Sequence, residues 1–486
     1  MATTRNPEQA APPAPQTHID NANALVSGYS WSGTTVTFSF PDSSGDYSYS
    51  SSNPEPDTYG ELNSAQKAAI RAAFDLYASY IDMDFVELNG SSDDNAAIRL
   101  AETGETGTAH AYYPFGGTQE SGDVWFNTTN YNNPEIGTYA YHTILHEIGH
   151  AMGLRHGHDQ LSGAYDAMSY SVMTYRSHQG SSLGGYTNES YGYAQTLMLY
   201  DIAALQEIYG VNWDTNAGDT TYSWDENTGA MSINGEVSLA SAGTNIFMTL
   251  WDGGGNDTLD LSNFSDQTCI DLRPGQGSRF SDDQLVQLDF DAYSGHEDVF
   301  AEFNIFLALL PDGDTRALIE NVIGGTGRDI IDGNQADNLI CGGRGGDWIA
   351  GHFGNDTLEG NQGRDRLEGN QGDDTLQGMR GRDKLFGHSG EDRLVGGAGD
   401  DFLNGGTGKD RLTGGAGADQ FVFRANSGHD TITDFEVGVD TLVCSAPENL
   451  TFTSYKGFAA VELDGALMVF KGYAADSLTL DDIFLT

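Results

Sequence analysis

The chain of 486 residues carries 71 acidic and 22 basic residues, and its formal net charge of −49 argues against nucleic acid or an anionic membrane surface as a partner. Its hydrophobic content of 38% excludes a wholly disordered chain, and its length predicts two or more domains. The three cysteines are far apart and form no C-x-x-C, so neither a disulfide framework nor a thiolate zinc site is expected.

The N-terminal segment, residues 1–24, is polar and rich in Pro and Ala, which predicts a flexible tail or a short propeptide. It lacks the apolar core of a signal peptide. Nowhere does the chain approach the roughly 18 consecutive apolar residues of a membrane helix, so no membrane insertion is expected.

Residues 25–212 contain short alternating segments and two amphipathic segments. The amphipathic segments, 63–81 and 195–210, predict helices, the first capped by Asn63. The alternating segments predict strands at 28–40, 84–88, 96–102, 109–114 and 123–127. We therefore expect one α+β domain over residues 25–212.

Residues 143–159, TILHEIGHAMGLRHGHD, concentrate four histidines and one glutamate. His146 and His150 are four residues apart, so on a helix both imidazoles project from one face and can hold one Zn²⁺. Gly153 can end that helix in the left-handed conformation, which lets His156 return toward the same ion. Glu147 would then reach the zinc-bound water without binding the metal, as a general base requires.

A polar helix with incidental histidines is the alternative interpretation of this segment. However, HEIGHAMGLRH fills all five specified positions of H-E-x-x-H-x-x-G-x-x-H, the metzincin pattern. The sequence therefore favours one zinc ion bound by His146, His150 and His156. The other histidines, including His142, His158 and His178, are expected at the surface or behind the ligands.

After residue 212 the chain becomes β-prone and rich in Gly and Asp, and residues 213–323 are expected to begin a second domain. Residues 324–422 are eleven nonapeptides in unbroken register. Gly is first in every unit, Asp is sixth in ten of them, and the eighth residue is always apolar. This pattern is typical of the calcium-binding RTX repeat and disfavours a disordered Gly/Asp-rich linker. Residues 423–486 are expected to cap this domain.

Each nonapeptide predicts a tight turn followed by a very short strand, with two units in each full coil. Stacked carboxylates repel each other, and oxygen ligands of this hardness suit Ca²⁺, so several calcium ions should be needed for folding. Asn338 and Ala336 depart from the repeat pattern in the second unit. The predicted calcium ligands are Asp329, Asp347, Asp356, Asp365, Asp374, Asp383, Asp392, Asp401, Asp410 and Asp419.

The combination of these two patterns, in this order, resembles the serralysin family. YSVMTYRS (170–177) resembles the family's methionine turn, which implies that Met173 packs beneath the three histidines. The same resemblance implies that Tyr175 is a switchable zinc ligand that can hydrogen-bond the oxyanion. AHAYYP (109–114) is similar to the family's substrate-flanking edge strand, with Ala109, Ala111 and Tyr112 as the contacts.

The resemblance implies an α+β metzincin catalytic domain followed by an all-β, calcium-binding parallel β-roll. It also implies an extracellular monomer exported by a type I secretion apparatus, which recognises an uncleaved C-terminal signal. DSLTLDDIFLT (476–486), acidic and then apolar, is similar to such signals. His158 and Asp159 stand where several members of the family carry Pro-Gly. Three alternatives remain for these two residues: they support the zinc ligands from behind, they contact the substrate, or they have no role.

The sequence thus predicts a secreted zinc endopeptidase that hydrolyses peptide bonds in extended protein substrates, with Glu147 as general base. Two alternatives remain. The first is a calcium-dependent surface or matrix protein with a vestigial site, which an intact Glu147 and Tyr175 disfavour. The second is a zinc hydrolase that acts on another amide, such as a cell-wall peptide.

Overall fold

The computed structural model describes residues 15–484 except residues 48, 50–52, 162 and 290–297. The first fourteen residues of the predicted tail and the last two of the predicted export signal lie outside the described residues. The described chain is built on two large hydrophobic cores, one in an N-terminal α/β part and one inside a long stack of strands. The predicted fold, an α+β domain followed by an all-β parallel domain, is confirmed.

The N-terminal part combines four helices with a six-stranded sheet in the order β3-β1-β4-β6-β5, and β2 pairs with β4. Strand β5 lies at the edge of this sheet and is antiparallel to β6, whereas β1, β3, β4 and β6 run parallel. The helices are α1 Pro15–Ala24, α2 Ser64–Tyr80, α3 Tyr139–Ala151 and α4 Leu199–Tyr209. The strands are β1 Thr35–Ser39, β2 Tyr59–Gly60, β3 Asp84–Leu88, β4 Ile98–Thr103, β5 Ala109–Ala111 and β6 Val124–Asn127.

The start of helix α2 is determined by its local sequence. The Asn63 side chain accepts hydrogen bonds from the amides of Ala65 and Gln66, and the Gln66 side chain accepts one from the Asn63 amide. This reciprocal cap fixes the start of the helix, as predicted. The apolar stripe of α2, including Phe74 and Tyr77, is buried in the first core.

Helix α1 differs from the flexible tail that the sequence predicts up to about residue 24. The helix packs against α4, where His18 Nδ1 lies 2.9 Å from the Tyr200 hydroxyl and the Asn21 amide donates to the same hydroxyl. His18 and Ala22 are buried, and Leu25 follows in the core. Polar residues that find partners on another helix cannot be distinguished from solvated ones by composition alone, which explains the difference.

The segment between the α/β part and the repeats forms short strands that contribute to both cores. In and beside β10, Ile246, Met248 and Leu250 belong to the second core, whereas Phe247 and Trp251, which flank the strand, belong to the first. Successive residues of a strand point to opposite faces, so one strand can join the two cores. The strands are β7 Thr221–Trp224, β8 Met231–Ile233, β9 Glu236–Leu239, β10 Met248–Leu250, β11 Thr258–Asp260, β12 Cys269–Asp271, β13 Gly277–Ser278, β14 Gln287–Asp289, β15 Val299–Phe300, β16 Ile305–Leu307 and β17 Asn321–Ile323.

The repeat region is a parallel roll in which consecutive units join two different sheets. Equivalent residues two units apart pair directly, as Leu358 pairs with Leu376 in one sheet and Leu367 with Leu385 in the other. The eighth-position side chains stack between the sheets and are at most 1% exposed. The strands are β18 Ile330–Asp332, β19 Leu339–Cys341, β20 Arg344–Gly345, β21 Trp348–Phe353, β22 Thr357–Glu359, β23 Gln362–Gly363, β24 Arg366–Gln371, β25 Thr375–Gly381, β26 Lys384–Gly390, β27 Arg393–Ala398, β28 Phe402–Gly408, β29 Arg411–Ala416 and β30 Gln420–Phe423.

The C-terminal segment closes the roll. Strand β31 pairs with β29, β32 pairs with β30, and the antiparallel strands β33 to β35 extend the sheet beyond β31. Among the described residues, no helix has both the length and the apolar character needed to span a bilayer. The elements are β31 His429–Ile432, β32 Thr441–Cys444, β33 Thr451–Tyr455, β34 Phe458–Leu463, β35 Ala466–Ala474 and α5 Leu480–Ile483.

Candidate metal centres

Helix α3 carries the first two histidines of the predicted zinc site. It begins after Thr138, whose side chain accepts a hydrogen bond from the Tyr141 amide. His146 and His150 lie one turn apart on this helix and are 4% and 6% exposed. The helical spacing places both imidazoles on one buried face, as predicted.

The chain reverses directly after α3 because of Gly153, which has a φ of +95°. A side chain at this position would also collide with the Tyr29 carbonyl, so only glycine fits. The Leu154 amide still donates to the Gly149 carbonyl, and the Arg155 amide donates to the Leu25 carbonyl. This short antiparallel contact directs the chain back along the helix and delivers His156 to the two helical histidines.

The three imidazoles converge through their Nε2 atoms. His146 Nδ1 lies 2.7 Å from the Val172 carbonyl and His150 Nδ1 lies 2.7 Å from the Leu154 carbonyl, so both Nδ1 atoms donate and leave Nε2 as a free acceptor. His150 Nε2 and His156 Nε2 are 2.9 Å apart, and ligand atoms of all three histidines lie within 4.8 Å of one another. These three residues fit a zinc ion, since His146 Nε2 is buried and has no hydrogen-bond partner in the structure.

Burial keeps these imidazoles neutral, which is the form that binds a metal. Burial lowers the pKa of His146 to about 3 and that of His156 to about 4. Glu147 lies between the two helical histidines in sequence and is 5% exposed. Burial raises its pKa to about 8, and its Oε2 atom is buried with no hydrogen-bond partner among the described residues. The site therefore contains a carboxylate that can accept a proton.

Met173 lies directly beneath the helix that carries His146 and His150. It is fully buried, and a side-chain carbon placed on Gly149 would lie only 2.6 Å from its sulfur. The Gly157 amide donates to the Met173 carbonyl, which ties the methionine turn to the segment just after His156. Gly149 thus allows Met173 to approach the helix between His146 and His150.

Asp201 is a residue of this centre that the sequence motifs do not predict. It lies in the first turn of α4, is fully buried, and accepts hydrogen bonds from the Ser171 hydroxyl at 2.6 Å and the Val172 amide at 2.7 Å. Burial raises its pKa to about 7. Because the Val172 carbonyl in turn accepts from His146, Asp201 positions the turn that orients a ligand histidine. In the sequence, the only indication of this role is an acidic residue in the first turn of a largely apolar helix.

Tyr175 projects from the methionine turn toward the three histidines, and its hydroxyl lies 2.8 Å from His156 Nε2. The carbonyl of the preceding residue, Thr174, accepts a hydrogen bond from the Tyr186 hydroxyl at 2.7 Å. His142 Nε2 lies 3.1 Å from the same hydroxyl. His142 is therefore buried behind the site rather than at the surface, and it helps to position the segment that carries Tyr175.

A cavity of about 490 Å³ opens beside these residues. Its walls include Ala109 of strand β5, His146, Glu147 and Tyr175. Strand β5 is the sheet edge. The side chains of His110, in the middle of β5, and of Tyr112, just after it, contact the Glu55 carboxylate at 3.1 Å and 2.9 Å. An extended peptide can therefore pair with β5 and pass the three histidines.

His158 and Asp159 lie next to the ligand cluster. The His158 ring stacks on Tyr175 with centroids 4.6 Å apart and on His156 with centroids 4.8 Å apart. Its Nε2 lies 3.7 Å from the Asp159 carboxylate, which is largely exposed. Of the alternatives for His158, a place behind Tyr175 and His156 agrees best with these contacts.

The sixth-position carboxylates of the roll form two ladders. In each, the backbone amide of one Asp donates to Oδ1 of the Asp 18 residues later, as Asp347 donates to Asp365 and Asp356 to Asp374. Within the part of the chain that the structure describes, the other oxygen, Oδ2, is buried without a hydrogen-bond partner, which is the arrangement expected of an oxygen site for Ca²⁺. The predicted ligands with such an Oδ2 are Asp347, Asp356, Asp365, Asp374, Asp383, Asp392, Asp401, Asp410 and Asp419.

Asp329 differs from the other predicted calcium ligands, because Thr268 and the Gly325 amide already donate to its two oxygens.

The ladders also continue beyond the predicted repeats. Asp410 donates to Asp430 and Asp419 donates to Asp440, at spacings of 20 and 21 residues. These spacings depart from the 18-residue period, so the repeat does not predict Asp430 and Asp440, although Asp-Thr-Ile and Asp-Thr-Leu retain the Asp-x-apolar pattern of the roll.

The pKa values of the ladder predict how the calcium-free roll responds to pH. Burial, with neighbouring carboxylates as a smaller cause, raises the pKa of Asp392 to about 7, and burial raises that of Asp365 to about 6. Carboxylates of an unfolded chain titrate near pH 4. The folded roll therefore binds protons more tightly than the unfolded chain, and this proton binding stabilises the folded state. The stabilisation is complete below about pH 4 and is lost as pH rises through about 6 to 7.

We therefore expect acidification from pH 8 to pH 5 to restore β-sheet signal in protein stripped of calcium by EGTA. Circular dichroism at a series of pH values measures this directly, with calcium-saturated protein as the control that should change little. An EGTA-treated protein that loses further β signal at pH 5 would contradict the assignment of raised pKa values to the ladder.

Models of three known families match successive parts of the chain. Residues 34–208 match metallo-peptidase family M12, and residues 211–285 match the serralysin C terminal of peptidase family M10. Overlapping segments between residues 317 and 421 match the RTX calcium-binding nonapeptide repeat. The zinc-site region, the joining segment and the roll therefore each have a counterpart among known families.

Several curated relatives match the chain at about 30% identity. Serralysin of Proteus mirabilis is 33% identical over 334 residues, which cover 62% of this chain and 60% of that protein. Metallopeptidase AprA of Pseudomonas marginalis is 32% identical over 297 residues, 58% of this chain and 56% of that protein. Serralysin C of Dickeya chrysanthemi is 30% identical over 346 residues, 65% of this chain and 64% of that protein. The chain thus matches less than two thirds of the length of each of these relatives.

Proposed function

We infer that the chain belongs to the serralysin family of metallopeptidases, and on that premise we propose that it is a secreted zinc-dependent endopeptidase acting on extended protein substrates. The observation that carries the proposal is the convergence of His146, His150 and His156 beside the unpartnered carboxylate of Glu147. The cavity that reaches these groups is bordered by a free sheet edge, which suits a polypeptide in extended conformation.

In this proposal the three histidines hold one zinc ion, which supplies Lewis-acid chemistry and lowers the pKa of water toward neutrality. Glu147 accepts the proton of the attacking water at Oε2 and later delivers it to the leaving amine. The Tyr175 hydroxyl donates a hydrogen bond to the oxyanion of the tetrahedral intermediate. Backbone groups of Ala109 and Ala111, with Tyr112 beside them, hold the substrate main chain in register.

The experiment that tests this function is a casein-hydrolysis assay at constant millimolar calcium. We expect 1,10-phenanthroline to abolish hydrolysis and stoichiometric zinc to restore it, because the three neutral imidazoles suit zinc and the calcium sites are all oxygen. Because calcium is held constant, a loss of hydrolysis reports the removal of zinc rather than unfolding of the roll. Hydrolysis that continues after zinc analysis shows the protein to be metal-free would contradict the proposal.

Tyr175→Phe tests the proposed oxyanion contact. The variant keeps the ring that stacks on His158 and removes only the hydroxyl near His156. We expect kcat to fall on the order of 10²-fold, with KM and zinc content nearly unchanged, because an oxyanion donor acts chiefly in the transition state. A variant with wild-type kcat would remove Tyr175 from the mechanism.

We also propose that the Asp ladders bind several calcium ions outside the cell and that the calcium-free roll is the form that is exported. The buried, unpartnered Oδ2 atoms of the ladders support calcium binding, since a stacked column of carboxylates needs a cation between its members. The acidic, unfolded chain would thread a type I apparatus, with its signal in residues 423–486. The proposed domains are an N-terminal segment to residue 24 that ends in helix α1, the peptidase domain 25–212, the β-rich start of the C-terminal domain 213–323, the roll 324–422 and the cap 423–486.

A further inference from the structure

Three aromatic side chains form an exposed cluster, here called the aromatic platform, beside the three histidines. The Tyr29 ring meets the Phe115 ring edge-on with centroids 4.7 Å apart and stacks on the Tyr113 ring at 6.2 Å. The rings of Tyr113 and Phe115 meet edge-on at 5.7 Å. Tyr29 and Phe115 are each 44% exposed. Contiguous apolar surface of this kind ordinarily marks a binding site, whereas single exposed apolar residues do not.

The aromatic platform is anchored to the turn that delivers His156. The Tyr113 ring meets the His150 ring edge-on, with centroids 5.4 Å apart. The Tyr29 carbonyl lies so close to Gly153 that a side chain there would collide with it, and the Ser27 amide donates to the Gly153 carbonyl at 3.0 Å. The platform therefore has a fixed position relative to the histidines.

The aromatic platform also continues the free edge of the peptidase sheet. Strand β5 ends at Ala111, and the Tyr112 amide extends its pairing by donating to the Asp123 carbonyl at 2.9 Å. The Phe115 amide then donates to the Tyr113 carbonyl at 2.8 Å, across a buried Pro114. This tight turn places two rings of the platform directly beyond the end of β5.

The cavity and the aromatic platform lie at opposite ends of β5. The cavity is bordered by Thr108 and Ala109, at the start of the strand, and by His146. The platform follows the end of the strand and contacts His150. An extended peptide that pairs with β5 and passes the histidines therefore reaches both. Antiparallel pairing, the slightly more stable arrangement, puts the part of the peptide N-terminal to the cleaved bond beside the platform.

On the premise of the proposed endopeptidase function, we propose that Tyr29, Tyr113 and Phe115 bind an aromatic side chain of the substrate on the N-terminal side of the cleaved bond. Rings that meet edge-on or offset attract each other beyond the burial of apolar area, which favours an aromatic occupant. The bound residue should lie within about three residues of the cleaved bond, because Tyr113 contacts His150 and a strand advances about 3.3 Å per residue.

Cleavage-site profiling of a denatured proteome, at constant millimolar calcium, tests this proposal. We expect Phe, Tyr and Trp to be enriched N-terminal to the bonds that the wild-type protein cleaves. The enrichment should fall in Tyr29→Ser and in Phe115→Ser. It should persist in the control Phe353→Ser, since Phe353 is also exposed, at 51%, but lies in the roll. No enrichment on that side, or equal enrichment in all four proteins, would overturn the proposal.

Two peptides that differ only in Phe or Ala at the enriched position measure the size of the effect. We expect the wild-type kcat/KM to favour the Phe peptide roughly tenfold, and this ratio to fall toward one in Phe115→Ser. Equal kcat/KM values for the two peptides in the wild-type protein would refute the platform and leave the endopeptidase function intact. Cleavage of no peptide or protein at all would instead refute the function on which the platform rests.

Light scattering distinguishes a substrate from a second copy of this chain as the occupant of the aromatic platform. We expect the wild-type protein and Phe115→Ser to have the same mass in solution, because the platform binds a substrate side chain. A wild-type dimer that becomes a monomer in Phe115→Ser would assign the platform to contact between copies and overturn the proposal.

Discussion

Glu147→Gln is expected to retain its zinc and to lose hydrolysis of casein, on the order of 10²–10⁴-fold or more. The amide has nearly the shape of the carboxylate but cannot accept a proton from water. Glu147 is buried with an unpartnered Oε2 beside the three histidines, so its removal changes the chemistry of the site without removing a ligand.

The control for this prediction is Glu207→Gln, because Glu207 lies on helix α4 and is exposed. That variant should keep both its zinc and its activity. Zinc content is measured by atomic spectroscopy, and circular dichroism checks the fold of each variant. Full casein hydrolysis by Glu147→Gln would show that Glu147 is not the general base.

The same measurements separate the alternative functions. A wild-type protein that binds zinc but cleaves no unfolded protein would favour a calcium-dependent surface or matrix protein with a vestigial site. Cleavage restricted to cell-wall peptides would favour a zinc hydrolase of another amide. Cleavage at many sites in casein, lost in Glu147→Gln, distinguishes the endopeptidase from both.

Removal of calcium is expected to unfold the repeat region. Counting only described residues, the ladders contain ten buried Asp oxygens without a hydrogen-bond partner, in Asp347, Asp356, Asp365, Asp374, Asp383, Asp392, Asp401, Asp410, Asp419 and Asp430. Without a cation, carboxylates that are buried and aligned in columns repel one another at neutral pH, and the apolar stack alone must then hold the coils together. Folding of the roll should therefore depend on the ion.

Hydrogen exchange with mass spectrometry locates this transition. At pH 8 with EGTA we expect peptides from strands β22 to β29 to lose their protection, and excess calcium should restore it. Peptides from helix α3 report on the peptidase core and should lose much less. Protection in the roll that is unchanged by EGTA, together with an unchanged circular dichroism spectrum, would contradict the dependence on calcium.

The zinc site could be predicted from sequence because most of its geometry is local. A helix places His146 and His150 on one face, and Gly153 allows the reversal that returns His156. The contacts that orient these ligands are not local. Asp201 reaches Val172 from another helix, and Tyr186 joins His142 to the Thr174 carbonyl, so neither could be inferred without the tertiary fold.

The roll likewise contains residues that its repeat predicts and residues that the repeat does not predict. Its strict period predicts the stacked apolar residues and nearly all of the ladder, because equivalent residues two units apart must pair. Asp430 and Asp440 continue the ladders after the period ends. Helix α1 was predicted as part of a tail, because its burial depends on Tyr200 of α4, which a local pattern does not reveal.

The measurement that tests the account most directly is anomalous X-ray scattering at the zinc edge from crystals grown with zinc and calcium. We expect one zinc peak bound by the Nε2 atoms of His146, His150 and His156, with the Glu147 carboxylate outside the coordination sphere. An absence of zinc between the three imidazoles under zinc-replete conditions, or direct coordination by Glu147, would contradict the proposed site.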